Sequence, residues 1–464
     1  MAVERTCTVA VLGGGPAGVT LAVDLARSGI PVALVTVRRP GGRIEGLSDR
    51  VAAGLEAHGL EHARAAMGAM VRRRVAWGTP PEARNSEYVT ARDAFNDALL
   101  ADAEQAGVTV IRLGRGGPEC ERLPEGAGWR VACLPQAGAP CTLEARFLVE
   151  ARGRAAPKPA AWVRRGPETT ALVTEAEIPD TDSFTMVEAF GDGWAWSVAA
   201  GGRAVLQIFV DSAGGLPKRG GLEALFADCV KRLSQAGREI GSAGWTMPPQ
   251  ARNATPYLSR PLIADDAIRI GDAALAVDPL SGHGVFEALG SALAGAATVR
   301  TMLRAPKRSA LARRFFTERA ELAFMRYARV GRDFYRLCDA FADRPFWRAR
   351  RDWPDGVPAH EAAGSGEARI VRRPVNCHGL IVERRVCVTP DQPRGIWMID
   401  GVEIAALCDL LRDRQGEPAG AALEAARQAL GVSPGALDTA IAWLGARRLL
   451  EPGERISLRP VASE

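Results

Sequence analysis

Two hydrophobic periods alternate along this chain. Val9-Ala-Val-Leu12 is an unbroken apolar run, as expected of a parallel strand covered on both faces. Residues 19–28 carry apolar positions at helical spacing, Gly29 follows as a stop, and Pro31-Val-Ala-Leu-Val35 is a second apolar run. Residues 91–100 begin another amphipathic helix with Phe95 and Leu99 four apart, and residues 107–111 and 147–150 read as further strands. Between about 160 and 260 the period becomes two: Trp194-Ala-Trp196-Ser-Val198 and residues 204–210 alternate like strands of an antiparallel sheet. Residues 266–300 return to strand, loop and helix, residues 308–350 are helical and rich in Arg and Phe, and residues 351–368 read as a linker. Beyond it, residues 380–388 and 396–399 predict a hairpin, and 402–411 and 421–430 predict helices, the second closed by Gly431. Ser433-Pro434 caps a third helix reaching Arg447, and residues 456–458 predict a wing strand.

With 464 residues the length suggests roughly three domains. Hydrophobic content of 47% and charged content of 24% describe a globular chain, and no apolar run is long enough to span a bilayer. The first strand starts within ten residues of Met1, so no secretory signal is expected. Nine Cys without C-x-x-C spacing predict reduced thiols in the cytoplasm rather than a disulfide frame or a metal site. The net charge of +5 is spread among interspersed acids and bases, so it predicts neither a nucleic-acid nor a membrane partner.

Gly13, Gly15 and Gly18 make a G-x-G-x-x-G turn between strand and helix, with Ala17 inside it. In that context the spacing is a dinucleotide fingerprint: one glycine for the turn, one for approach of a pyrophosphate, one for helix–strand packing. The helix N-terminus offers the phosphates unpaired N–H groups and about half a positive charge.

A second motif, Gly271-Asp272-Ala-Ala followed by Pro279-Leu-Ser-Gly282-His283-Gly284, resembles that of FAD-dependent aromatic hydroxylases and their relatives, the flavin-dependent halogenases. Arg92 with Phe95 and Leu99 is similar to that family's R-x-x-F-x-x-x-L helix, and Glu150-Ala-Arg-Gly-Arg154 to its D-A-x-G-R strand end. The resemblance covers residues 1 to about 353 and implies FAD as cofactor. It places Asp272 on the ribityl chain, and Pro279, Gly282 and Gly284 along the flavin ring. It also places Arg43 and Arg92 near FAD, and His283 as a catalytic candidate beside the ring. The acid that ends the second strand in such proteins is missing, and Thr36 stands near that point as the cofactor-binding candidate. Trp194 and Trp196 resemble the halogenase W-x-W element and are candidates for the substrate pocket, although Ser-Val-Ala follows where halogenases have Ile-Pro.

Lysine is the decisive departure. Halogenases use one after the first αβ unit, and residues 40–100 here contain none. Arg72, Arg73 and Arg74 are present, but a guanidinium stays protonated and cannot serve as that amine. The resemblance therefore implies direct oxygen transfer to an aromatic ring.

The predicted fold is α/β: a Rossmann-like FAD-binding domain (1–160 and 261–305), an inserted antiparallel-sheet substrate domain (161–260), a helical segment (306–353) and a C-terminal winged-helix-like domain (369–464). The last is similar to small domains that bind leader peptides. Its third helix, 434–444, carries Asp438 and no Lys or Arg, which speaks against reading a DNA groove. The combination resembles the flavoprotein monooxygenases of quinohemoprotein amine dehydrogenase maturation, which hydroxylate a peptidyl tryptophan. The implied partners are a peptide or protein substrate, a peptide-modifying enzyme, and NAD(P)H or a flavin reductase as electron donor. The alternatives are a small-aromatic hydroxylase, a tryptophan halogenase, a flavin-dependent reductase, and a flavoprotein scaffold without catalysis.

Overall fold

The first strand, Val3–Leu12, lies between Val32–Val37 and Cys141–Glu150, parallel to both. The computed structural model describes residues 3–37, 44–114, 116–179, 183–234, 240, 244–364, 367–459 and 462–463. Thr109–Leu113 extends the parallel sheet on one side, and Ala267–Arg269 also pairs with Cys141–Glu150. The antiparallel strands Trp129–Cys133 and Glu119–Arg122 complete a seven-stranded sheet. Val9, Ala10, Val11 and Leu12 are all 0% exposed, because elements cover this sheet on both faces. This is the Rossmann-like core that the apolar runs predict.

The second sheet has eight strands and is larger than its sequence suggests. Its order is Gln250–Asn253, Thr169–Glu177, Arg203–Asp211, Gly193–Ala200, Phe184–Phe190, Met70–Ala76, Glu82–Ala91 and Ile44–Leu47. Three of these strands come from residues expected in the FAD-binding domain. The sheet is also not wholly antiparallel, since Phe184–Phe190 runs parallel to Met70–Ala76. Conversely, Ala161–Arg165 and Tyr257–Arg260, expected in the substrate domain, form a small sheet with Leu275–Ala276. Strand Arg203–Asp211 shows why the large sheet is apolar on both sides. Leu206, Ile208 and Val210 enter one core with Phe226 of helix Arg219–Arg232, while Val205 and Phe209 enter another with Tyr335 and Trp347. The long helix Ser309–Arg336 and the short helix Pro345–Arg351 supply those last two residues.

Compactness divides the chain into residues 1–299 with 320–359, and residues 300–319 with 360–464. Helix Ser309–Arg336, in the expected helical segment, has residues in both units.

In the second unit, Arg369–Cys377 and Leu380–Thr389 form a hairpin across His378-Gly379, both with positive φ (48° and 78°), as a tight hairpin turn requires. Gln392–Ile396 pairs with the other edge of Leu380–Thr389, in place of the expected pairing with 396–399. Helices Ile404–Asp413, Ala419–Leu430 and Pro434–Ala446 follow, then the two-stranded wing Leu450–Glu451 with Ser457–Leu458. Ser433 caps the third helix by accepting the Ala436 N–H at 3.2 Å, and Gly431 closes the second at φ 65°. The order of helices and wing is winged-helix-like. Its core includes Leu407, Leu411, Leu437 and Leu444. Leu407 is 0% exposed, so Leu407→Ala is expected to cost this unit about 2–5 kcal/mol, read as an earlier unfolding transition in a denaturant titration.

Among the described residues no helix is long and apolar enough to cross a membrane, and no cluster of His, Cys, Asp and Glu could hold a metal ion.

Candidate active site

Helix Pro16–Arg27 starts at Gly15, with no side chain capping its first N–H groups. The three fingerprint glycines do different work. A Cβ on Gly13 (φ +118°) would lie 2.4 Å from the Ala151 carbonyl oxygen, and one on Gly18 would lie 1.9 Å from that of Gly13. Both are demanded by packing. Gly15 has ordinary extended backbone, φ −84° and ψ −178°, and an added Cβ would meet no atom within 4 Å. Only a ligand in front of the helix needs a glycine there, and a pyrophosphate fits that place. Thr36 reaches the same turn from the end of strand Val32–Val37, where its Oγ1 accepts the Gly14 N–H at 3.2 Å.

The second motif meets the first. A Cβ on Gly271 (φ +55°) would be 2.8 Å from the Ala17 methyl group. Asp272, next in line, keeps a carboxylate two-fifths exposed, with Arg154 Nε 3.5 Å away. Surrounding protein pushes this carboxyl above the usual range, and the charges of Arg154 and Arg92 oppose that. Tyr257 donates its hydroxyl to the Asp272 carbonyl at 2.6 Å, and the Arg154 guanidinium lies 5.4 Å from the Tyr257 ring centroid. Arg92, first residue of helix Arg92–Gln105, pairs with Glu45 at 2.5 Å and bonds Asn96 at 3.0 Å. Arg43 lies outside the described residues.

Pro279–Ser281 forms one helical turn, ended by Gly282 in the left-handed conformation (φ 65°), and helix Gly284–Arg304 then begins. A Cβ on Gly282 or Gly284 would meet no atom within 4 Å. His283, partly buried between them, donates Nδ1–H to the Ser281 carbonyl. A carbonyl only accepts, so Nδ1 carries the hydrogen and Nε2 is the nitrogen that can take up a proton. The ring lies 4.9 Å from Tyr327. Asp278, before the turn, accepts the Leu280 N–H at 2.9 Å. Burial pushes the Asp278 carboxyl up, against the Leu280 N–H, Arg350 and Tyr335.

Trp194 and Trp196 lie on one face of strand Gly193–Ala200, but in different surroundings. Trp194 is 3% exposed, stacked on Phe209 at 3.9 Å, and its indole N–H donates to the Tyr335 hydroxyl at 3.2 Å. Trp196 is half-buried and donates to Glu87 Oε1 at 3.3 Å. Glu87 is buried and also binds Arg73 through both oxygens, at 3.2 and 2.5 Å. Leu280 of the turn packs against the same cluster.

Residues 6–205 match the FAD binding domain family. The structure resembles that of the peptidyl tryptophan dihydroxylase QhpG, essential for tryptophylquinone cofactor biogenesis, with a TM-score of 0.82 and 37% identity over 96% of this chain and 100% of that one. The chain belongs to the superfamily of FAD-dependent aromatic hydroxylases and flavin-dependent halogenases. It is also 26% identical to the tryptophan 2-halogenase of Chondromyces crocatus, over 78% of this chain and 73% of the relative. The flavin-dependent halogenase CmlS shares the fold, with a TM-score of 0.69 at 17% identity and coverage of 100% and 98%. The cofactor is FAD and the enzyme class is FAD-dependent monooxygenase.

Against that superfamily frame, sequence reading missed Glu45, Glu87, Tyr257 and Tyr335. Glu87 carried one signal, an acid within reach of Arg73 across a hairpin, but that hairpin was itself unrecognised.

Proposed function

We propose that this monooxygenase hydroxylates the indole ring of a tryptophan held within a peptide or protein substrate, on the way to a tryptophylquinone cofactor. The observation that carries this reading is the 37% identity running through 96% of the chain, C-terminal unit included, with a peptidyl tryptophan dihydroxylase. The halogenase relative is also named for tryptophan, which supports indole as the reacting ring.

The residues divide the work. The N-terminus of helix Pro16–Arg27 holds the pyrophosphate at Gly15, and Asp272, flanked by Arg154 and Arg92, holds the ribityl chain. Pro279–Gly284 lines the flavin ring. Reduced FAD and O₂ supply an electrophilic oxygen atom. Trp196, fixed by Glu87, walls the pocket, with Trp194 as a second layer behind it. The His283 Nε2 takes up the proton that the ring releases, and no strong base is needed because indole is itself electron-rich. NAD(P)H or a flavin reductase supplies the electrons, and the winged-helix-like unit engages the peptide. Nine unpaired cysteines suit a reducing compartment, the cytoplasm.

The test compares a tryptophan-containing peptide with free tryptophan, each incubated with the holoenzyme and a flavin-reducing system. Mass spectrometry is expected to show oxygen added to the peptide at a rate at least tenfold above that on free tryptophan, about the effect of one lost binding contact. Equal or faster turnover of free tryptophan would overturn the peptide reading.

A further inference from the structure

Of one buried polar chain, the mechanism above uses only Trp194, and only as packing behind the pocket wall. Asp278 is 5% exposed and sits at the foot of the Pro279–Gly284 turn. Its two carboxylate oxygens each lie 3.3 Å from the Tyr335 hydroxyl, and Oδ1 also accepts the Leu280 N–H. Tyr335 is 1% exposed, on the last turns of helix Ser309–Arg336. A phenol has one proton to give. The Trp194 indole N–H can only donate, so it occupies an acceptor position on Tyr335, and the phenol proton points to Asp278. The direction is therefore fixed: Trp194 N–H to Tyr335, Tyr335 O–H to Asp278, with Leu280 N–H arriving from the turn itself.

Packing has made room for this chain. A Cβ added at Gly331, one helical turn before Tyr335 and on the same face, would stand 3.2 Å from Asp278 Cβ. Trp194 is held in turn by its stack on Phe209 and by the edge of Trp77 at 6.3 Å. Three elements distant in sequence thus converge on one carboxylate: a strand of the large sheet, the long helix, and the turn before helix Gly284–Arg304. Leaving any member unpaired in this dry setting would cost its desolvation, so the chain acts as a unit.

We propose that Asp278, Tyr335 and Trp194 are positioning residues, a buried hydrogen-bond chain that sets the Pro279–Gly284 turn against FAD and ties its place to the sheet carrying Trp196. The inference rests on the reading of that turn as the flavin-facing one.

The test is Tyr335→Phe in the full chain, which removes one oxygen and keeps the ring. FAD is titrated into apoprotein, and the visible absorption and circular dichroism of the bound flavin are recorded. The dissociation constant is expected to rise about tenfold, the size of one hydrogen bond to a charged acceptor, with altered flavin bands. A tie that served only the fold would lower the apoprotein's melting temperature and leave both readouts alone. In a double-mutant cycle with Asp278→Asn, the double variant is expected to bind FAD no more weakly than the weaker single variant. If Asp278→Asn does not fold, Trp194→Phe takes its place. Wild-type affinity and spectrum in Tyr335→Phe, or effects that simply multiply in the cycle, would overturn the proposal. His283→Ala, in the turn itself, separates the two failures. A changed flavin spectrum there with none in Tyr335→Phe removes only the hydrogen-bond chain's role, whereas no change in either variant removes the placement of the turn as well.

Discussion

Gly15→Val is expected to give a folded protein that no longer holds FAD. The expectation follows from how differently the three fingerprint glycines are used. At Gly18 an added methyl group would press on the Gly13 carbonyl oxygen at 1.9 Å, and at Gly13 the backbone itself is in the left-handed region. Substitution at either strains the protein whether or not FAD is present. Gly15 has neither constraint: its backbone suits any residue, and its missing side chain would face open space. The valine therefore costs the fold little and takes the place of the pyrophosphate at the helix N-terminus. Losing two or more charge-assisted hydrogen bonds to phosphate weakens binding by at least about tenfold. Flavin absorbance per chain after gel filtration is the measurement, with circular dichroism as the check on folding. Gly18→Ala is the contrasting variant, expected to fail at folding rather than at binding. A Gly15→Val protein carrying one FAD per chain would refute the placement of the cofactor.

The parts of this architecture that were legible in the sequence are those written in contiguous residues. Val9–Leu12, the glycine turn and the first helix lie side by side, and their apolar and glycine positions suffice to draw them. The third C-terminal helix was legible for the same reason, since Ser433 and Pro434 mark its start. The large sheet was half legible. Gly193–Ala200 and Arg203–Asp211 alternate clearly, but Met70–Ala76 contains Arg72, Arg73 and Arg74, and Glu82–Ala91 contains Glu82, Arg84, Asn85 and Glu87. Such strands look like solvated loops until a distant partner appears. Phe184–Phe190 is that partner, and long-range pairing leaves no local trace. Glu87 is buried where Arg73 binds it across the local hairpin and Trp196 binds it from beyond the long-range pairing. Trp194 teaches the complementary lesson. Period two told which face it occupies, and nothing in its own strand told that Tyr335, arriving on a helix far along the chain, would take its N–H. The His378-Gly379 hairpin was missed because His-Gly is not among the Asn-Gly and Asp-Gly pairs that signal a two-residue hairpin turn.

Oxygen, and no halogen, is expected in the product. A halogenating relative is 26% identical, so the outcome turns on particular residues rather than on overall likeness. A halogenase must capture the oxidised halide on an amine and deliver it some way from the flavin. The only lysines of this chain are Lys158, Lys218, Lys231 and Lys307, and all four are exposed at the surface. None stands on the strands that line the cluster of Trp196 and Leu280. Where residues 40–100 come closest to offering a cation, Arg73 is bound by both oxygens of Glu87, and Arg74 lies 5.1 Å from the ring centroid of Phe184. A guanidinium remains protonated at any pH the enzyme survives, so neither can act as the nucleophilic amine. Direct transfer needs only that the indole sit within about 3–3.5 Å of the transferred oxygen. The measurement is mass spectrometry of the tryptophan-containing peptide after reaction in ¹⁸O₂ with chloride and bromide in excess. Heavy oxygen is expected in the ring of every product molecule, and the halide is expected to change neither rate nor mass. A chlorinated or brominated peptide without the isotope would mean that oxidised halide reaches the ring without a lysine, and the hydroxylase reading would fall with it.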